Sequence, residues 1–247
     1  MKSISLEEVT EFVNEHIGGF HENRISRVKK VKLREVLQKK NPYLFKAKNI
    51  LTAQTMIESL LQAYLSSSEE ELFGDFLEEL AIFIAGKTLD GRKSPGTGID
   101  LEFTKAGVVY LVSIKSGVNW GNSSQYAALR DRFKKAVQVL KQSKSVKAVQ
   151  PVLASCYGKR KTVNNGEYVR ICGQEFWHFI SGKQTLYTDI IAPLGHQAKQ
   201  RNQRYEEELA AVINKFTVEF SSEFCRDGRI DWNRLVHFNS GNMNARS

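Results

Sequence analysis

The sequence predicts an α/β fold: a central mixed β-sheet flanked by helices, with an additional helical region at the N-terminus. Three observations carry this. Two β-branched apolar runs, "GIDLEF" and "VVYLVSIKSG", are joined by the short Gly-bearing "TKAG" and make a hairpin. An amphipathic helix, "NSSQYAALRDRFKKAVQVLKQS", and another strand, "KAVQPVLASCYG", follow it. The order helix, strand, strand, helix, strand, helix is that of a layered α/β core.

From the N-terminus, "SLEEVTEFVNEHI" opens a helix in which Ser5 caps and Glu8 stands three residues on, with Val9, Phe12, Val13 and Ile17 at helical spacing. A Gly-Gly break ends it. The next segment, "NRISRVKKVKLREVLQKKNPYLFKAKN", is dense in Arg24, Arg27, Lys29, Lys30, Lys32 and Arg34. It is either a solvated basic helix face or a phosphate-contacting segment. Asn41-Pro42 closes that part, and "LTAQTMIESLLQAYL" resumes a helical pattern. A second capped helix is expected from "SSSEEELFGDFLEELAIFIAG", with Ser66 to Ser68 as caps. Residues 86–97 read as a loop, "EYVRICGQEFWHFISG" as a strand running into a helix, and the chain from about 186 as mostly helical. The expected division is a helical region at 1–65, for DNA binding or dimerisation, and a core with C-terminal helices at 66–247. The final "HFNSGNMNARS" is expected to fray.

A chain of 247 residues with 41% hydrophobic residues buries a sizeable core. Its net charge of +9 points to a polyanionic partner. Cys156, Cys172 and Cys225 form no CxxC pair, which predicts a reducing cytoplasm. The N-terminus turns acidic too early for a secretory signal, and runs such as "LAIFIA" fall far short of the roughly 20 residues that span a bilayer. No membrane association is expected. The five histidines are dispersed, without a general-base pattern, and Trp177 and Tyr157 read as core aromatics.

The hairpin carries the chemistry. Alternation puts Ile99, Leu101 and Phe103 on one face and Asp100 and Glu102 on the other, while Ser113 and Lys115 share a face of the second strand. Asp100 and Lys115 are thereby brought together at one end of the sheet. Charges in such surroundings cost several kcal/mol unless paired or metal-bound, about 2–7 by transfer measures even for uncharged polar groups. A strand-end Asp with a snorkelling Lys is the plain structural alternative.

This arrangement resembles the PD-(D/E)xK nuclease superfamily, in which an acid ends one strand and acid-x-Lys lies on the next. The resemblance implies a restriction-endonuclease-like core, Mg²⁺ as cofactor, Asp100 as metal ligand and Lys115 beside the attacking water. Ser113 occupies the position of the second acid. "GDFLEEL" resembles the superfamily's Gly-x-x-x-Glu helix, with Gly74 and Glu78 on one face. Glu78 is therefore the leading substitute, against Glu79, Glu102 and Asp131. "SGVNWGNSSQ" carries Asn119, Trp120, Asn122, Ser123, Ser124 and Gln125, side chains suited to phosphates and base edges or to a capped structural loop. Lys159, Arg160 and Lys161 form a basic loop that either touches DNA or is solvated.

Together "SSSEEELFGDFLEELAIF", "GIDLEF", "VSIKSGVNWGNSSQ", "CYGK" and "GQEFWHFISG" resemble type II restriction endonucleases cutting sites with a GG-N-CC core, over about residues 30–195. That resemblance implies a homodimer on double-stranded DNA, 5′-phosphate ends and pairing with a DNA methyltransferase. The alternatives are a repair or recombination nuclease on the same core, or a DNA-binding protein that has lost catalysis at Ser113.

Overall fold

The computed structural model describes residues 1–143 and 146–242. The N-terminal helices are α1 (Leu6–Lys30), α2 (Leu33–Lys39), α3 (Pro42–Ala47) and α4 (Ala53–Leu89). They are followed by β1 (Arg92–Lys93), β2 (Leu101–Lys105), β3 (Val108–Lys115), α5 (Ser123–Lys141), β4 (Ala148–Ser155), β5 (Val163–Asn164) and β6 (Val169–Cys172). The rest comprises α6 (Gln174–Ser181), α7 (Leu186–Asp189), α8 (Ile191–Leu194), α9 (Ala198–Phe224), β7 (Cys225–Arg226), β8 (Arg229–Ile230) and α10 (Trp232–Ser240). The last five residues of the expected C-terminal fray lie outside the described residues. Among the described residues no helix is long and apolar enough to cross a membrane.

Several expected breaks are absent. Gly18 and Gly19 lie inside α1, and Ser66 to Ser68 lie inside α4 instead of capping a new helix. A Gly costs a helix about 1 kcal/mol and a Ser less. The buried Val9, Val13, Ile17, Ile25 and Val28 outweigh that along α1, as do Leu60, Leu61, Leu65, Phe76 and Leu80 along α4. Asn41-Pro42 opens a helix instead of closing one: Asn41 Oδ1 accepts from the Tyr43 and Leu44 amides, with Pro42 in the first turn.

The chain forms two compact units, Met1–Gly18 with Phe73–His196, and Gly19–Leu72 with the chain from Gln197 onward. This differs from the expected division at 65/66, because each unit is closed by chain from both sides of that point.

The first unit holds a six-stranded mixed sheet of order β1-β2-β3-β4-β6-β5. β1, β2 and β3 are antiparallel, β3, β4 and β6 run parallel, and β5 is antiparallel to β6. Ala106 and Gly107 both have positive φ and turn β2 into β3 in two residues, the geometry that matches strand twist. Pro151 lies in β4 just before pairing with β6 begins at Val152, and its carbonyl accepts from the Gln150 side chain (2.9 Å). Leu129 and Phe133 of α5 pack with Leu111 and Leu153 on one face. Ile99 joins them instead of following Leu101, the chain having turned at Gly98 (φ +74°) ahead of the strand. On the other face Phe179 of α6 packs against the Phe103 and Tyr110 rings. The N-terminal part of α1 is held to α4 by stacking of Phe12 on Phe83 and by the Lys87–Glu8 ion pair.

In the second unit, Ile25, Val28, Met56, Ile57 and Leu60 share a core with Phe216, Phe220, Phe224 and Leu235. The basic segment is largely neutralised within this unit. Arg24 pairs with Glu69 (2.8 Å) and lies over the Tyr205 ring, Arg27 pairs with Glu71, Lys29 with Glu208, Lys32 with Glu35 and Arg34 with Glu223. Those five cations serve the unit's own packing, which weighs against the phosphate-contact reading of this segment.

Candidate active site

Asp100 enters the site from the residue just before β2, in register with β3 through its amide, which donates to the Val112 carbonyl (2.9 Å). Its carboxylate turns back onto the same strand. Oδ2 accepts from the Ile114 amide (2.6 Å) and from Ser113 Oγ (3.2 Å), and Lys115 Nζ lies 3.7 Å away. All three contacts fall on one oxygen. Among the described residues Oδ1 takes no hydrogen bond and remains available to a ligand. Alternation along β3 places Ser113 and Lys115 on the face that Asp100 meets. Lys115 Nζ also lies 5.5 Å from the Trp120 ring centroid, a cation–π contact that holds the ammonium at the sheet end.

A second carboxylate approaches this cluster from α4. Gly74 lets that helix close on the turn after β3, since a Cβ there would stand 3.2 Å from Ser116 Cβ. One turn on, Glu78 is half-buried with its carboxyl pushed above the usual range, first by burial and then by the Asp100 charge, with Lys93 and Lys115 opposing. Lys93 Nζ is 3.9 Å from Glu78 Oε1. Of the other candidates, Glu79 and Asp131 are exposed, and Glu102 is taken up by Arg92 (3.2 Å) and Ser94 (3.4 Å).

Cys156 adjoins this cluster, a position that the sequence did not announce. It is buried at the end of β4, its amide donating to the Lys115 carbonyl (2.9 Å) and its carbonyl accepting from Trp177 Nε1 (2.8 Å). Burial first, then Glu78, pushes its thiol up to about 12, so it stays neutral there. All three cysteines are free.

Among the described residues no cluster of three or more His, Cys, Asp and Glu forms a ready-made metal cage. Two carboxylates close enough for the charge of Asp100 to be felt at Glu78 nevertheless fit a hard divalent cation. Mg²⁺ keeps several of its waters and is commonly bound by one or two carboxylates, and a cation would relieve the repulsion felt at Glu78.

The polar connection is divided in role. Asn122, not Ser123 or Ser124, caps α5 in a reciprocal capping box with Gln125, and Ser124 Oγ donates to the same Asn122 oxygen (2.7 Å). These side chains are occupied by the helix start. Ser123 is exposed, Trp120 packs on Tyr126, and Asn119 accepts from Arg160 (2.7 Å). Lys159, Arg160 and Lys161 are exposed on the loop after β4. Trp177 is buried as expected, but Tyr157 is 52% exposed, its ring lying across Gly117 instead of in the core.

The comparison with curated proteins finds no match. The family model described as "Type II restriction endonuclease EcoO109I" matches residues 7–202, most of the chain and both the hairpin and the Gly74–Glu78 helix. With a six-stranded mixed sheet bearing an acid and a lysine at one end, the chain belongs to this family of type II restriction endonucleases, on the PD-(D/E)xK fold.

Proposed function

We propose that the protein is a Mg²⁺-dependent, sequence-specific endonuclease that hydrolyses double-stranded DNA to 5′-phosphate ends. The observation supporting it is the convergence of Asp100, Lys115 and Glu78 at the end of β3, in a chain of this family. Asp100 and Glu78 would hold Mg²⁺, which when bound neutralises charge on the scissile phosphate and makes water a stronger nucleophile. Lys115, fixed between Asp100 and Trp120, orients that water. Ser113 supports Asp100 through its hydroxyl and leaves the second carboxylate to Glu78.

The favoured site contains a GG-N-CC core, read by a homodimer whose two-fold symmetry matches a palindrome. A partner DNA methyltransferase protects the host, and the enzyme works in the cytoplasm. Since the basic segment of the second unit is engaged with its own carboxylates, that unit is assigned to dimerisation.

Incubation of purified protein with plasmid DNA and Mg²⁺ tests this. Discrete fragments whose sequenced ends share one motif are expected. Cutting confined to branched DNA would instead support a repair nuclease, and a gel shift without cutting would support a DNA-binding protein that has lost catalysis.

A further inference from the structure

Beyond the ends of β3 and β4 the chain continues as two adjoining segments, Ser116–Asn119 and Cys156–Arg160. The strand pairing carries on into them: Cys156 N donates to Lys115 O (2.9 Å) and Tyr157 N to Ser116 O (3.1 Å). Glycines stand where the segments touch. A Cβ on Gly117 would meet the Tyr157 ring at 2.6 Å, and one on Gly158 (φ +110°) would meet Val118 at 2.5 Å. A Cβ on Gly173 (φ +54°) would meet the Gly158 carbonyl at 2.7 Å, so the turn after β6 closes on the same place. The product is a rigid ledge that starts at Lys115.

Arg160 ends this ledge and is held at three points. The buried Cys172 thiol accepts from the Arg160 amide (3.2 Å) and donates to the Arg160 carbonyl (3.4 Å), so one side chain clasps both backbone groups of a loop residue. The guanidinium donates from Nη2 to Asn119 Oδ1 (2.7 Å), which restrains the direction of the side chain. A phosphate needs only a nearby positive charge, as the exposed Lys159 and Lys161 supply. Restraining the direction of an exposed guanidinium matters for a planar, two-acceptor partner, and in a DNA major groove that is the O6/N7 edge of guanine. Asn119 lies four residues from Lys115, so its Cα is at most about 14 Å from that of the lysine. The residue that holds the guanidinium is thus tied to the strand end that carries the lysine.

We propose that Arg160 reads a guanine in the major groove, with Asn119 and Cys172 as positioning residues that hold it ready. This rests on the reading of the chain as a site-specific endonuclease. The test is selection from a randomised duplex library by the full-length protein carrying Asp100→Ala, so that bound DNA is not cut, followed by sequencing and by affinity measurements across a salt series. Adding Arg160→Ala or Arg160→Lys is expected to erase the preference for one guanine per half-site by roughly 10- to 100-fold, leaving other positions and the salt slope of Arg160→Lys unchanged. Cys172→Ala is expected to weaken the same preference, and Cys172→Ser, which can still donate and accept, to restore it. Uniform weakening over all sequences, with the salt slope of Arg160→Ala reduced by about one, would make Arg160 a phosphate contact and overturn the proposal. Unaltered preference in a folded Cys172→Ala protein overturns the clasp. A parent protein that selects no sequence at all overturns the endonuclease reading instead.

Discussion

Ser113→Asp restores an acid to the position where the superfamily pattern has one, and its cost follows from the geometry. Ser113 is fully buried and its Oγ lies 3.2 Å from Asp100 Oδ2. A carboxylate there would face that of Asp100 at about 4 Å, a repulsion of about 4 kcal/mol at the effective dielectric of such sites. The alternative is to remain protonated, and holding an ordinary Asp neutral at pH 7 costs about 4 kcal/mol as well. Lys115, 3.7 Å from Asp100, offsets part of either cost. The expected destabilisation relative to the isosteric Ser113→Asn is about 2–4 kcal/mol at pH 7, a large part of a typical stability of about 5–15 kcal/mol. The sign with pH is fixed by the raised folded-state pKa of the new carboxyl. Its penalty is absent below the unfolded value of about 3.9, grows as pH rises toward the folded value, and is reduced to about 1.5 kcal/mol or less at pH 5. Urea unfolding in EDTA at pH 5 and pH 7 measures both numbers, and Mg²⁺ should recover part of the loss at pH 7. An Asp variant within about 1 kcal/mol of the Asn variant at pH 7 would refute the close approach of residue 113 to Asp100.

The remaining predictions concern the same sheet end. Asp100→Ala and Lys115→Ala should each lower cleavage by about 10²–10⁴-fold while gel-shift affinity largely survives; undiminished cutting by either removes that residue from the site. Glu78→Gln should cut much more slowly than Glu79→Gln. It should also stabilise the metal-free protein at neutral pH, because a group with a raised folded-state pKa opposes folding once ionised, and that gain should vanish below the usual carboxylate range. Thermal unfolding of Glu78→Gln in EDTA between pH 4 and 8 checks the sign. Trp177→Phe should cost about 1–3 kcal/mol in chemical denaturation by leaving the buried Cys156 carbonyl without its donor; a neutral result would mean that carbonyl finds another partner.

The hairpin and its charges were legible because period-two alternation and a Gly-bearing turn are local signals, and the register they imply is the one that puts Asp100 on Ser113 and Ile114. The approach of α4 to the sheet end was legible through Gly74, a residue whose missing Cβ lets the helix close on Ser116. What escaped depends on partners distant in the chain. The fate of Arg24 and Arg34 is decided by Glu69 and Glu223, and no pattern within residues 24–34 announces them. Continuity of α1 through Gly18-Gly19 and of α4 through Ser66–Ser68 likewise depends on buried contacts that outweigh local propensities of at most about 1 kcal/mol per residue. Which residue caps α5 was not legible, because Asn122, Ser123 and Ser124 are all good caps and only the backbone conformation at Asn122 decides between them.

The way the second unit is closed has a consequence for how the protein is made. Its apolar face on α1 to α4 is complete once residue 72 has left the ribosome, yet Phe216, Phe220, Phe224 and Leu235, which cover it, come at the other end of the chain. At about 5–20 residues per second the wait is roughly 10–30 s. During it Ile25, Val28, Ile57 and Leu60 have no native partner from α9 or α10. For that interval these apolar side chains stand exposed to non-native contacts, while the sheet bearing Asp100 and Lys115 has already been synthesised in full. The order of the elements thus sets a delay between synthesis of the two halves of this core.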